Sequence, residues 1–393
     1  MGRAGCHARA TSGVAHGTQH PGGRRGTQCR SARSPDPFRD TRRDSARILR
    51  ASNRTDDHGI RGDLVSDADV KVLVTGAGGF IGSNVVRHLR DQGHDVRAGV
   101  RTAVNPGEVA AELGDRRGLD AACDGVQTVV HAAARLGQFG SRRRYWEDNV
   151  DGTRRLLSAA ASSGVQRFVF VSSPSALMSP EDGDRFGIDE SMPYPNRFLN
   201  AYCETKAEAE RIVLDSNADG FTTVALRPRA VWGPGDRHGP VAKVIDRMRA
   251  GTMPDLNRGR QVHVSICHID NFVSACGAAL HADAQKIGGR SYFVADDRPV
   301  ELGDALERLA GALGLTPPTR TVPAVILTPA LTAIEAIWSI PAVGNRVDPP
   351  LSKYSVALLT RSATYDLSAA RRDLNWQPLV DFDTALQGLA AHE

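Results

Sequence analysis

The chain has 393 residues, 41% hydrophobic and 24% charged, with 39 Gly, 21 Pro and six Cys. These totals supply enough apolar material for a large core. They exclude a fibrous repeat, a disulfide scaffold and a wholly disordered chain, each of which needs a stronger bias. The formal charge of +4 is unevenly placed: residues 1–69 hold 13 Arg, no Lys and 8 Asp, which leaves 36 basic against 37 acidic residues beyond them. The remainder is electrically neutral and shows no Lys/Arg stripe interleaved with aromatics, so nucleic acid is not an expected partner.

Residues 1–69 contain only eight Ile, Leu, Val, Met, Phe, Tyr or Trp residues, too few to offset the entropy of ordering them. The segment reads as a disordered basic extension. Its Asp36, Asp40, Asp44, Asp56 and Asp57 argue against an acid-poor transit peptide, and a mis-assigned start site is its expected origin. It has no apolar h-region, so a cytoplasmic location is expected. Cys6-His7 and Cys29 lack C-x-x-C spacing, and no metal site is expected. The other four cysteines, Cys123, Cys203, Cys267 and Cys276, form no paired framework and read as free thiols.

From Val70 the character changes. Val70 to Thr75 is a β-branched run of strand length, followed at once by Gly76-Ala77-Gly78-Gly79-Phe80-Ile81-Gly82 and then an apolar helical pattern through Val85, Val86 and Leu89. Strand, glycine turn and helix in that order open a dinucleotide-binding fold, in which the turn and the helix N-terminus present backbone N–H groups to a pyrophosphate. The glycines fall at 76, 79 and 82, a T-G-x-x-G-x-x-G spacing; the G-x-G-x-x-G form fails at Ile81. The next strand, Asp95 to Arg101, bears on which dinucleotide binds. NAD-binding proteins of this fold put an acid at its end for the ribose hydroxyls, whereas an arginine suits a 2'-phosphate. No acid stands at Gly99, Val100 or Arg101. NADP(H) is therefore expected over NAD(H), with Arg101 as the phosphate clamp; the alternative is a merely solvated Arg101.

Further strands are expected at Thr128–His131, Gln166–Ser173 and Thr222–Arg227, with helices at 148–163 and 201–216 between them. Continuous apolar strands alternating with amphipathic helices indicate an α/β fold, a doubly wound parallel sheet of the Rossmann type. Tyr202 and Lys206 stand four residues apart at the start of a helix, on one face. A nearby ammonium and a cofactor cation could lower the phenol by about three units, worth roughly 4 kcal/mol. Ser173 closes a strand at its carboxyl edge, where open α/β sheets bind ligands, and Asn149 reads either as a helix N-cap or as a site residue.

These residues together resemble the extended short-chain dehydrogenase/reductase family, over essentially residues 70–390. The resemblance rests on the glycine pattern, His131-Ala132-Ala133-Ala134, Asn149 to Thr153, Ser173, Tyr202 to Lys206 and Leu226-Arg227-Pro228. Ser173-Pro174-Ser175, Leu226 to Asp236 and His268 to Asn271 resemble its 3β-hydroxysteroid dehydrogenase-like branch, as do Pro349 to Ser352 and Asp366 to Pro378. Ala134 to Ser141 and the Pro349–Pro378 region are similar to bacterial 2-alkyl-3-oxoalkanoate reductases of long-chain olefin biosynthesis, which use NADPH. The segment after Arg101 is shorter than in those enzymes, and Asn257-Arg258-Gly259-Arg260 lacks their acidic-glycine turn.

The resemblance implies hydride transfer between nicotinamide and a keto or hydroxyl carbon of a lipophilic substrate, in first place a 3-oxo acid. Tyr202 would donate the proton and Ser173 would hydrogen-bond the same oxygen. Lys206 would bind the nicotinamide ribose and depress the Tyr202 pKa, and Asn149 would hold a helix kink and relay water. Expected cofactor contacts are Gly76, Gly79, Phe80, Ile81, Gly82, Arg101, Asp115, His131, Ala132, Ala133, Tyr202, Lys206 and Pro228. The Rossmann domain is expected over 70–231, rejoined by about 262–290, and a smaller, partly discontinuous substrate domain over 232–261 and 291–393.

Val322 to Ile340 is a long apolar run broken by Pro329 and Glu335. It reads either as a core helix or as a helix over a greasy cleft, with peripheral membrane contact through 323–341. The alternatives in order are a 3β-hydroxysteroid dehydrogenase, a nucleotide-sugar epimerase and a non-catalytic NADP-sensing regulator. An epimerase tends to carry Asn where Arg229 stands, and a regulator tends to lose the Tyr or Lys. A homodimer through the helices that carry Asn149 and Tyr202 is expected by analogy alone.

Overall fold

The computed structural model describes residues 70–137, 141–257, 259–322, 329, 331–334, 337–338 and 351–392. The extension 1–69 and most of 323–341 lie outside the described residues. The chain runs from β1 (Lys71–Thr75) into α1 (Phe80–Asp91), then β2 (Asp95–Val100), β3 (Glu108–Ala110), α2 (Arg116–Cys123) and β4 (Thr128–His131). A short helical turn Arg142–Tyr145 passes through a π-helical turn, Trp146–Asp151, into α3 (Gly152–Ser162). After β5 (Arg167–Val171) come β6 (Arg185–Ile188), α4 (Ala201–Asp215), β7 (Thr222–Pro228) and β8 (Val231–Trp232). The chain continues through α5 (Pro240–Arg249), β9 (His263–Val264), β10 (Cys267–His268), α6 (Ile269–His281) and β11 (Arg290–Val294). It closes with β12 (Val300–Glu301), α7 (Leu302–Ala312), α8 (Lys353–Thr360), β13 (Ala363–Tyr365) and α9 (Phe382–His392).

Seven of these strands form one sheet in the order β11-β7-β5-β4-β1-β2-β3, and every pair in it is parallel. The strand order reverses between β1 and β4, the place where an open α/β sheet leaves a crevice outside its carboxyl ends. The strands are apolar on both faces because both are covered. Val72 and Val74 pack with Val85, Leu89 and Phe272 of α1 and α6, while the intervening Leu73 packs with Leu119, Leu156, Leu157 and Val213 of α2, α3 and α4. Each such side chain withdrawn from water contributes about 1.5–3 kcal/mol.

A second sheet, β12-β9-β13-β6, sits beside the carboxyl ends of the first. It pairs β6, from the middle of the chain, with β13 near its end: Ala363 aligns with Arg185 and Tyr365 with Ile188. The large sheet in turn takes its edge strand β11 from Arg290–Val294. Both sheets therefore draw on chain from either side of residue 231, which is how the substrate side comes to lie against the ends of β5 and β7.

Candidate active site

The glycine turn is built by close approach of backbone to backbone. A Cβ at Gly82 would lie 2.2 Å from the Gly76 carbonyl oxygen, and one at Gly76 would lie 2.7 Å from the Ala133 nitrogen, with Gly76 itself at a φ of +72°. Neither position can carry a side chain without moving β1 away from α1 or from the end of β4. Gly78 is the opposite case, since a Cβ there would meet no heavy atom within 4 Å. The turn thus forms an open concavity lined by backbone, at the N-terminus of a helix that no side chain caps. That is what a pyrophosphate requires, and the residues fit a dinucleotide.

Thr75 and His131, at the ends of β1 and β4, tie the crevice floor together. Thr75 Oγ1 lies 2.7 Å from His131 Nδ1, and His131 Nε2 lies 3.0 Å from Thr153 Oγ1. Thr153 donates its own hydroxyl proton to the Asn149 carbonyl at 2.6 Å. Nε2 must then donate to Thr153, and Nδ1 accepts from Thr75. His131 is fully buried; burial, and the charge of Lys206, hold it neutral by pushing its pKa down to about 3. It therefore serves as a strut between β1, β4 and α3. Ala132 and Ala133 continue from it, with Ala133 N donating to Thr75 Oγ1 at 3.4 Å.

Asn149 lies inside the π-helical turn and does not cap a helix, which corrects the N-cap reading. Its Oδ1 accepts from Arg135 N at 2.7 Å, and its Nδ2 donates to Arg135 O at 3.2 Å and Thr205 Oγ1 at 3.1 Å. It clamps the loop after β4 to α4, one residue from Lys206. The wide turn carries it inward, a use for which π-helical turns are common at functional sites.

α4 starts where its sequence says it should. Asn200 caps it by accepting from Cys203 N at 2.9 Å, so Tyr202 falls in the first turn and Lys206 one turn on. Ser173, in extended backbone just past β5, accepts from Ser175 N at 3.2 Å. Burial pushes the Tyr202 phenol above its ordinary value, and the nearby Ser173 hydroxyl acts in the opposite direction. Lys206 is 3% exposed; its Nζ donates to the Val171 carbonyl at 2.5 Å and stands 4.2 Å over the Phe170 ring. Burial drives it down to about 7 against the charge of Glu210. In the chain by itself the Lys206 ammonium is bound to the end of β5, and burial is the largest influence on the Tyr202 phenol.

Other predicted residues stand apart from this cluster. Arg101 follows β2, exposed to solvent. Asp115 caps α2, its carboxylate accepting from Arg117 N at 3.1 Å. Pro228 ends β7. The structure also adds residues that spacing did not reveal. The Tyr354 ring meets that of Tyr202 edge-on at 6.2 Å, and its hydroxyl lies 2.7 Å from Ser175 Oγ. Glu210 is wholly buried, bound by Arg227 Nη2 at 2.6 Å and Nε at 3.0 Å and also by Tyr194. Burial would raise Glu210, but the Arg227 pair holds it below the ordinary carboxylate value. Glu210 lies one helical turn beyond Lys206, a signal that was available in the sequence; Tyr354 had none.

Residues 73–324 match the 3-beta hydroxysteroid dehydrogenase/isomerase family. The chain belongs to that family. It is an NAD(P)-dependent oxidoreductase of the extended short-chain dehydrogenase/reductase type, acting on CH-OH and keto groups. A 2-alkyl-3-oxoalkanoate reductase of Stenotrophomonas maltophilia is 32% identical over 333 residues, covering 82% of this chain and 99% of the relative. A 3 beta-hydroxysteroid dehydrogenase/Delta 5-->4-isomerase of Mycobacterium tuberculosis is 32% identical over 335 residues, covering 80% and 88%. Among solved structures, MoeE5 in complex with UDP-glucose and NAD aligns with a TM-score of 0.62 at 26% identity, over 82% of this chain and 98% of that one. Members of the family use a nicotinamide cofactor. Among the described residues, no helix is long and apolar enough to cross a membrane.

Proposed function

We propose that this family member is an NADPH-linked reductase of lipophilic 3-oxo acids. The observation that carries the reading is the placement of Tyr202, in the first turn of α4, with Ser173, just past the carboxyl edge of β5: a buried phenol and a nearby hydroxyl that can share one substrate oxygen. The 2-alkyl-3-oxoalkanoate reductases, matched over nearly their whole length, support the acid substrate.

When bound, nicotinamide supplies the hydride for the carbonyl carbon. Ser173 holds the carbonyl oxygen, and Tyr202 gives it a proton as negative charge develops there, contributing the 10²–10⁴-fold typical of a positioned acid, an order-of-magnitude estimate. Lys206, whose Nζ donates to the Val171 carbonyl, would hold the cofactor ribose and carry a proton near Tyr202. Asn149, hydrogen-bonded to Arg135 and Thr205, ties the loop after β4 to α4. The turn at Gly76–Gly82 seats the pyrophosphate, and Arg101, where an acid would serve NAD, receives the 2'-phosphate.

Fluorescence titration with NADPH and NADH, repeated on Arg101→Ala, tests the cofactor preference. Tight NADPH binding that weakens at least about tenfold in the variant is expected, with NADH unaffected. Equal binding of both by the wild type would overturn it. The relatives named as 3 beta-hydroxysteroid dehydrogenases favour a second reading, oxidation of a sterol hydroxyl by the same three residues. It takes first place if NADH binds the tighter.

A further inference from the structure

Two buried arginines stand two residues apart at the end of β7 and differ in one respect. Arg227, 3% exposed, is neutralised by the Glu210 carboxylate. Arg229, 6% exposed, has only the neutral Tyr365 hydroxyl, 3.2 Å from its Nη1. Among the described residues no carboxylate pairs with it. A guanidinium carries five donors and a charge that does not titrate. Leaving it desolvated without an anion is costly enough that buried arginines are as a rule paired.

Arg229 lines a pocket between the turn after Ser173 and the second sheet, with Pro174, Met178, Ile188 and Tyr365 among the walls. Two further cations line it, Arg185 and Arg361, against a single acid, Asp182. Asp182 is already taken by Arg185, and Arg361 binds the carbonyl oxygens of Ser179 and Pro180 at 3.1 and 3.2 Å. The pocket is therefore apolar with an excess of positive charge. It adjoins the reacting end of the site: Pro174, next in the chain to Ser173, is part of its wall, and the following Ser175 holds the hydroxyl of Tyr354, whose ring meets that of Tyr202.

We propose that Arg229 receives the carboxylate of the substrate, and that it is the residue that selects an acid over a neutral ketone or sterol. The inference rests on the 3-oxo acid reading above. In a 3-oxo acid the carboxylate is one methylene from the reacting carbonyl, so its anchor has to lie near Ser173, and Arg229 shares a pocket with the adjacent Pro174. Met178, Ile188 and the proline would flank the carboxylate end.

The test uses the full chain with NADP+ bound and two probes that cannot react, dodecanoate and dodecanamide, titrated by calorimetry. The wild type is expected to prefer the carboxylate. Arg229→Gln is expected to lose about 100-fold in carboxylate affinity while binding the amide within about threefold of wild type, because only the charge-dependent contact is removed. Arg229→Lys, which keeps the charge but not the fork, is expected to fall between them. No preference for the carboxylate in the wild type, or an equal loss for both probes in Arg229→Gln, overturns the proposal. A wild type that binds dodecanoate through Arg229 yet reduces no 3-oxo acid keeps the anchor and overturns the reductase reading instead.

Discussion

At the cofactor end of the crevice the chain is held by its own backbone: Gly82 approaches the Gly76 carbonyl, Gly76 approaches Ala133, and any side chain at either would force them apart. At the substrate end, a few residues away, nothing is local. Tyr202 meets Tyr354, and Arg229 meets Tyr365, through side chains from segments far apart in the sequence. The first kind of site is written in consecutive residues and tolerates almost no variation at its glycines. The second can be changed one side chain at a time while the sheet beneath it stands, which is how one scaffold serves unrelated substrates.

The sharpest break in that comparison is Tyr202→Phe. Turnover is expected to fall by about 10³-fold or more while NADPH binding survives, because the proton donor is lost and the backbone cradle is untouched. Steady-state kinetics beside a fluorescence titration check both halves. Next comes a pair at the glycine turn. Gly82→Ala is expected to weaken NADPH binding at least about tenfold and to cost about 1–3 kcal/mol of stability, as overpacking does. Gly78→Ala, with open space around it, should change stability by less than about 0.5 kcal/mol, as surface substitutions do. Thermal melts with and without cofactor separate the two variants.

Lys206 gives a prediction with a sign. Burial holds its pKa at about 7, below the ordinary 10.5, so between these pH values the unfolded chain binds the proton and the folded chain does not. Stability of the cofactor-free protein should therefore rise with pH across that window, by up to about 1.4 kcal/mol per unit from this one group. Lys206→Met should remove the rise and stabilise the chain at neutral pH while abolishing turnover. Denaturant melts at several pH values test it; a slope unchanged in the variant would assign the effect elsewhere. A small gain is expected at Ala230, which sits at a φ of +46°. Ala230→Gly relieves left-handed strain of about 1–2 kcal/mol and adds unfolded-state entropy, for a net gain under about 1 kcal/mol.

Much of the fold was legible because it is local. The runs at 71–75, 95–100, 128–131 and 167–171 are strands, with α1, α2, α3 and α4 following them in turn, two of these after an intervening short strand, and Tyr202 and Lys206 share a helix face because they stand four residues apart. What spacing cannot express was missed. The π-helical turn that aims Asn149 inward depends on how the loop after β4 packs against α4. The direction of the Lys206 ammonium depends on the carbonyl end of β5. Tyr354 meets Tyr202 across a long stretch of chain, as β13 pairs with β6 at Ala363 and Arg185, long-range contacts that no periodicity encodes. Arg229 was visible as a residue, but its lack of an acidic partner is a property of three-dimensional packing.

The most direct test of the account is NADPH consumption by the full chain with a long-chain 3-oxo acid, measured beside Tyr202→Phe with NADPH binding confirmed in both. The account predicts oxidation of NADPH matched one to one by 3-hydroxy acid in the wild type, and none above background in the variant. A variant that turns over like the wild type, or a wild type that binds NADPH yet leaves every 3-oxo acid unreduced, would contradict it.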